Sequence, residues 1–247
     1  MAKTDNTHRR ALVTGASSGI GLAVARHLLE EGWRVLGVAR DLSKAELPGQ
    51  LAERFEGVEL DLADLDALPA RLGELARSHT DLDALVLAAG RGEFGSLEEF
   101  SYPAIRSLVD LDFTSQAFVA RAFLPAMKRR GRGDLVFLGS EAGLRGARRG
   151  AVYCAAKFAL RGFAQALRAE CAKSGVRVTI VHPGMVRTPF FDELDFAPGA
   201  AEENALAAED VARTLALVLD LPPRAVVDEI ELSPLKRVVD FKPPSSR

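Results

Sequence analysis

The chain has 247 residues, 48% of them hydrophobic and 27% charged, with a formal net charge of -2 at pH 7. That mix excludes disorder, collagen and coiled coil over the whole chain, and the length suffices for a large core without disulfides or metals. There is no global basic field to draw in nucleic acid or an anionic membrane surface, so neither is expected as a partner.

Two cysteines, Cys154 and Cys171, fall within one expected helix and form no disulfide scaffold. The four histidines are scattered, so no metal site is expected. Met1 to Arg10 is polar and lacks the apolar core of a signal peptide. No stretch approaches the roughly 18 apolar residues of a membrane span, and the cytoplasm is the expected location.

In chain order, Ala11 to Thr14 is a short apolar run that stops at Gly15. Ile20, Val24 and Leu28 then recur at helical spacing, which predicts a helix over Ile20 to Glu31 ended by Gly32. Trp33 to Ala39 reads as a strand, Leu51 to Phe55 as a short helix, and Val58 to Leu60 as a third strand. A helix over Leu65 to Arg77 precedes a strand over Leu82 to Ala88. Ser101 to Arg130 reads as one long helix, with Pro103 near its start and a bend expected at Pro125. Strand Asp134 to Gly139, helix Val152 to Lys173, strand Val176 to Val181, helix Ala207 to Leu219 and strand Val226 to Leu232 complete the series.

Continuous apolar strands alternating with helices are the pattern of a parallel sheet covered on both faces. The expected fold is α/β: a single-domain, Rossmann-like doubly wound sheet of about seven mostly parallel strands with helices on both faces. The domain takes in 1–247, with 1–9 and 242–247 expected to be flexible.

The first strand runs into Thr14-Gly15-Ala16-Ser17-Ser18-Gly19-Ile20-Gly21. Gly15 permits a sharp turn, Gly19 close approach to a phosphate, and Gly21 close packing of helix on sheet. The helix N-terminus offers free N–H groups and a positive dipole to a pyrophosphate. The second strand ends Val38-Ala39-Arg40. A carboxylate at this place grips a ribose 2′-hydroxyl, whereas an arginine accommodates a 2′-phosphate. Arg40 therefore favours NADP(H) over NAD(H), unless it simply pairs with Asp41; Ser17 can add a hydroxyl.

Tyr153-Cys154-Ala155-Ala156-Lys157 places a phenol and an ammonium one turn apart on a helix face. A neighbouring cation favours the phenolate, so Lys157 is expected to lower the Tyr153 pKa toward neutrality and make it an acid/base. Ser140 lies 13 residues earlier, at the end of a strand.

The T-G-x-x-x-G-x-G turn, Ser140 and Tyr153-x-x-x-Lys157, in this order and spacing, resemble the short-chain dehydrogenase/reductase family from about Arg10 to Leu232. The resemblance implies an oxidoreductase moving a hydride between a nicotinamide and a ketone or secondary alcohol. Ser140 would hold the substrate oxygen, Tyr153 would exchange its proton, and Lys157 would bind the nicotinamide ribose. Ser18 and Ile20 fall in the phosphate turn. Asp61 and Leu62 match the adenine subsite, and Ala89 and Gly90 the turn after the fourth strand. Pro183, Gly184, Val186 and Thr188 match the segment that binds the carboxamide. A homodimer or homotetramer packed through the helices of 101–130 and 150–174 is also implied, as is a substrate lid over 187–204.

Two departures stand out. Leu87-Ala88-Ala89-Gly90 replaces the family's Asn-Asn-Ala-Gly, and Asp112 stands where the family has a catalytic asparagine. Asp112 can keep that residue's relay through its backbone carbonyl, offset the charge of Lys157 and so raise the Tyr153 pKa, or point away. Phe190, Phe191, Leu194 and Phe196 on the lid read either as a surface for an apolar or aromatic substrate or as ordinary packing; Phe94, Leu144 and Arg148 are further pocket candidates. Arg145, Arg148 and Arg149 read as a solvated loop or a grip on an acidic substrate. The rival to an active enzyme is a catalytically weak dinucleotide-binding sensor or interaction protein. A lyase or epimerase on the same scaffold is a third class.

Overall fold

Seven short runs form one sheet: β1 (Arg10–Thr14), β2 (Arg34–Ala39), β3 (Phe55–Glu59), β4 (Ala84–Leu87), β5 (Gly133–Leu138), β6 (Val176–Pro183) and, late in the chain, β10 (Glu229–Leu232). The computed structural model of the protein describes residues 6–242. The strand order is β10-β6-β5-β4-β1-β2-β3, and every neighbouring pair is parallel. The helices are α1 (Gly19–Glu30), α2 (Gly49–Ala52), α3 (Leu68–Ser78), α4 (Tyr102–Val109), α5 (Ser115–Arg130), α6 (Ala151–Cys171) and α7 (Ala208–Leu219). Four short strands lie outside the sheet: β7 (Val186–Arg187), β8 (Phe196–Pro198), β9 (Leu206–Ala207) and β11 (Val239–Phe241).

The two-residue period of a strand divides the core. Leu12, Leu36, Leu85 and Leu135 pack with Leu68 and Leu72 of α3, Phe123 of α5 and Leu160 of α6. Their neighbours Ala11, Val13, Val35, Val86 and Val136 pack on the other face with Val24 and Leu28 of α1 and Val211 and Leu215 of α7. Both faces are covered, as continuous apolar strands require. The strand order reverses at β1, and such a reversal opens a crevice beyond the carboxyl ends of the strands.

Several elements differ from the sequence expectation. Phe55 begins β3 instead of ending a helix, and α2 spans Gly49–Ala52. As an edge strand, β3 buries little, so its composition carries no apolar run. Residues 101–130 are not one uniform helix: a π-helical turn over Asp110–Thr114 joins α4 to α5, while Pro125 sits inside α5. At the widened turn the Ser115 hydroxyl donates to the Leu111 carbonyl at 2.7 Å, and the Gln116 amide donates to the Asp112 carbonyl at 3.1 Å. Side chains thus satisfy carbonyls at the step where the regular ladder is broken.

Of the termini expected to be flexible, 1–5 and 243–247 lie outside the described residues. The remainder is tied down. Asn6 is buried, Arg9 stacks 3.8 Å over Trp33 and pairs with Asp220, and Lys242 donates to the carbonyls of Phe191 and Asp192. Cys154 and Cys171 are free, buried thiols on α6. Among the described residues, no helix is long and apolar enough to cross a membrane.

Candidate active site

The crevice is a cleft of about 1170 Å³ along the carboxyl ends of the strands. At one end, Gly15 (φ +70°) and Gly19 (φ +52°) adopt left-handed backbone that most side chains disfavour. A Cβ on Gly21 would stand 2.2 Å from the Gly15 carbonyl oxygen, so α1 meets the turn at a distance only glycine allows. Ser18 starts α1 without capping it through its side chain, which leaves the first N–H groups of the helix for a ligand. Gly21→Ala is expected to push the turn off the sheet and cost about 1–3 kcal/mol, read as a lower urea midpoint; an unchanged midpoint would contradict this packing role.

The sequence-selected residues of this end all lie on the cleft wall. Gly15, Ser17, Ser18, Gly19, Ile20 and Gly21 form the floor of the turn. Arg40, Asp61 and Leu62 follow from the ends of β2 and β3. Arg40 and the nearby Lys44 also line this end, and Lys44 lies close enough to Asp41 to help hold its carboxyl pKa low. The Asp61 carboxylate accepts from the Ala63 amide at 2.9 Å, which shapes the turn it sits in.

Toward the middle, Ala89 and Gly90 face Pro183, Gly184, Val186 and Thr188. In place of asparagine amides, Thr14 holds the Leu87–Gly90 turn: its hydroxyl accepts from the amides of Ala88 and Ala89 at 3.0 and 3.1 Å.

Ser140, Tyr153 and Lys157 share the same wall. The Ser140 hydroxyl lies beside the Tyr153 phenol, where it favours the ionised form, and accepts from the Ala142 amide at 3.1 Å. Beneath it, buried His182 sets its Nδ1 2.9 Å from the Ser140 carbonyl oxygen and its Nε2 2.9 Å from Glu229. His182 is a supporting residue that sequence reasoning missed, because its contacts link β6 to the turn after β5 and to β10 and leave no local spacing. The Lys157 ammonium lies 5.6 Å from the Tyr153 ring centre and donates to the Leu138 carbonyl at 3.4 Å.

Asp112 is the exception. It does not reach the wall but lies fully buried behind Gly90, where its Oδ1 accepts from the Arg91 amide at 2.8 Å. A Cβ on Gly90 would meet Asp112 Oδ1 at 2.7 Å and Lys157 Nζ at 3.4 Å, so this glycine lets carboxylate and ammonium draw together. Asp112 Oδ2 is buried without a hydrogen-bond partner. Burial pushes the Asp112 pKa up to about 6, against the pull of Lys157 and of the Arg91 amide. The backbone carbonyl expected to serve a relay already accepts from Gln116, a second residue the sequence did not single out.

The expectation that Lys157 makes Tyr153 acidic is overturned here. Burial raises the Tyr153 pKa, the Asp112 charge raises it further, and the neighbouring Ser140 hydroxyl only partly offsets them. Spacing placed the ammonium near the phenol, but desolvation of a buried phenolate outweighs that proximity. The reading in which Asp112 opposes Tyr153 ionisation agrees with the direction of this shift.

The outer wall is aromatic. Phe94 and Phe190 flank the Tyr153 ring at centre distances of 5.1 and 6.0 Å. Phe196 lies 5.0 Å from Phe94, and Phe191 closes the group at 5.1 Å from Phe190 and 5.8 Å from Phe196. The lid phenylalanines thus both pack on one another and face the cleft. Leu144 is not on the wall. Arg145, Arg148 and Arg149 all border the cleft, with Arg145 paired to Glu231 and Arg149 to Glu99 and Asp195.

Comparison with known proteins gives a consistent picture. The family model described as short chain dehydrogenase matches residues 9–197. Serine 3-dehydrogenase of Agrobacterium fabrum is 31% identical over 234 residues, covering 92% of this chain and 94% of that one. Rat estradiol 17-beta-dehydrogenase 1 is 36% identical over 205 residues, which is 78% of this chain but only 59% of the rat enzyme. An alcohol dehydrogenase from the archaeon Thermococcus sibiricus, solved with 5-hydroxy-NADP, superposes with a TM-score of 0.83 at 27% identity, over 93% of this chain and 98% of that one.

Proposed function

Because the chain belongs to the short-chain dehydrogenase/reductase family, as an NAD(P)-dependent oxidoreductase acting on CH–OH or C=O groups, we propose that it interconverts ketones and secondary alcohols with NADP(H), using Tyr153 as acid/base. The observation that carries this reading is the contact of Tyr153 with Ser140, one helical turn from Lys157, on the same wall as the glycine turn. When bound, NADP(H) supplies or accepts the hydride. Ser140 holds the substrate oxygen, and Tyr153 gives it a proton in reduction or takes one in oxidation. Lys157 lies close enough to both the phenol and Gly90 to hold the nicotinamide ribose. Phe94, Phe190, Phe191 and Phe196 suit an apolar or aromatic ketone.

The residues present fit the dinucleotide. The Gly15–Gly21 turn and the open α1 N-terminus would hold its pyrophosphate, Asp61 and Leu62 its adenine, and the Ala89–Gly90 turn its backbone side. Pro183, Gly184, Val186 and Thr188 would take the carboxamide. Arg40 and Lys44, both on the cleft wall, offer two cations to a 2′-phosphate, and Ala39 offers no carboxylate to a free ribose diol. The solved archaeal relative holds an NADP derivative. Arg40→Ala is expected to weaken NADPH about 10- to 100-fold, the scale of a lost charge-assisted hydrogen bond, and to leave NADH unchanged by calorimetry. Equal loss for both would contradict a role for Arg40 in recognising the 2′-phosphate.

A homodimer or homotetramer packed through α4, α5 and α6 is part of the proposal; Tyr102 and Phe158 are large apolar side chains exposed on those helices. The alternative, a catalytically weak dinucleotide sensor, draws on the buried Asp112 beside Lys157. Consumption of NADPH and NADH across aliphatic, alicyclic and aromatic ketones separates the two. NADPH-dependent turnover favouring the apolar ring ketones is expected; cofactor binding without turnover over the whole panel would favour the sensor.

A further inference from the structure

The segment after the last sheet strand lies beyond residues 9–197, the part matched by the family as a whole, and it returns to the cleft. There β11 pairs antiparallel with β8 of the lid, Val239 opposite Pro198 and Phe241 opposite Phe196. The ladder extends at both ends: the Gly199 amide donates to the Val238 carbonyl at 2.9 Å, and the Lys242 amide to the Asp195 carbonyl at 2.8 Å. The Lys242 ammonium adds bonds to the carbonyls of Phe191 and Asp192. Alternation along a strand puts Val239 and Phe241 on one face and Asp240 on the other. Both apolar residues line the cleft, whereas Asp240 does not. Phe241 is nonetheless 77% exposed, so its ring bounds the cleft without being filled against protein.

We propose that Phe241, backed by Val239, is a specificity-determining residue: it forms the outer wall of the substrate pocket and selects bulky apolar ketones over small ones. This rests on reading the cleft as a ketone/alcohol site. The occupant is the substrate itself, because the two side chains continue the aromatic surface of Phe94, Phe190 and Phe196 outward from Tyr153. Phe241 and Val239 are not among the residues that exchange the proton or hold the substrate oxygen, so the chemical step is left unaltered.

The test compares the parent with Phe241→Ala, Phe241→Leu and Asp240→Ala. For each, KM and kcat are measured with one small aliphatic ketone and one bulky aromatic ketone, and the Kd of the same ketones is measured by calorimetry on the NADP-loaded protein. Phe241→Ala is expected to raise KM and Kd for the bulky ketone about tenfold, the scale of a lost aromatic contact. The small ketone and kcat should not change. Phe241→Leu should restore part of the loss, and Asp240→Ala should behave as the parent. Equal effects on both ketones, or none, would overturn the proposal. If the parent turns over neither ketone, the oxidoreductase reading fails separately, and the calorimetric arm still decides the wall: selective loss of the bulky ketone supports it, and no loss, or no binding by the parent, overturns it.

Discussion

Tyr153→Phe is expected to lower kcat by about 10²- to 10⁴-fold, the contribution of a positioned acid/base, while NADPH affinity and folding stay intact. The substitution removes only the hydroxyl beside Ser140. The ring remains, with its packing on Phe94 at 5.1 Å and on Phe190 at 6.0 Å. A raised pKa keeps the phenol protonated near neutral pH, the form that can donate to a nascent alkoxide. Steady-state reduction rates together with a calorimetric NADPH Kd check this; turnover at the parent rate would contradict it.

Asp112→Asn is expected to change both stability and the pH profile. The Asp112 carboxyl has a pKa near 3.8 when solvated and about 6 in the fold, where burial is the leading cause. Between those values the folded state binds more protons than the unfolded state, so the contribution of Asp112 to stability falls as pH rises. Above about pH 6 the deficit reaches roughly 3 kcal/mol, from about two pKa units at 1.36 kcal/mol each. An asparagine keeps an acceptor for the Arg91 amide and carries no charge. The variant should therefore be the more stable protein at pH 7–8, with the gap closing as pH falls toward about 4. Denaturant midpoints across that range read the effect; a gap independent of pH would contradict it.

The same substitution removes a negative charge that raises the Tyr153 pKa. Alcohol oxidation needs the deprotonated phenol, so its rate profile should move to lower pH in Asp112→Asn. Asp112 acts through its neighbours: it is not itself on the cleft wall, but it holds Arg91 from behind and packs against Gly90, both of which are. An unchanged profile would leave it a purely structural residue.

Local spacing made much of this site legible. The glycine turn and the Tyr153–Lys157 pair lie within single elements, and the apolar runs of β1, β4 and β5 announce a sheet buried on both faces. What remained hidden depends on contacts between distant segments. The edge strand β3 has no apolar run, and the β8–β11 ladder joins residues about forty positions apart. The π turn over Asp110–Thr114 answers to side-chain bonds from Ser115 and Gln116 that no periodicity reports. Electrostatics misled the sequence reading for the same reason: spacing puts Lys157 beside Tyr153, but only the fold reveals that both, and Asp112, are buried.

Transfer of deuterium from NADPH labelled at the nicotinamide C4 to an aromatic ketone tests the central claim most directly. The account predicts label on the carbinol carbon of the alcohol, lost in Tyr153→Phe under conditions where that variant still binds NADPH. Saturation with labelled NADPH and no label in any alcohol, across ketones of every size, would contradict it.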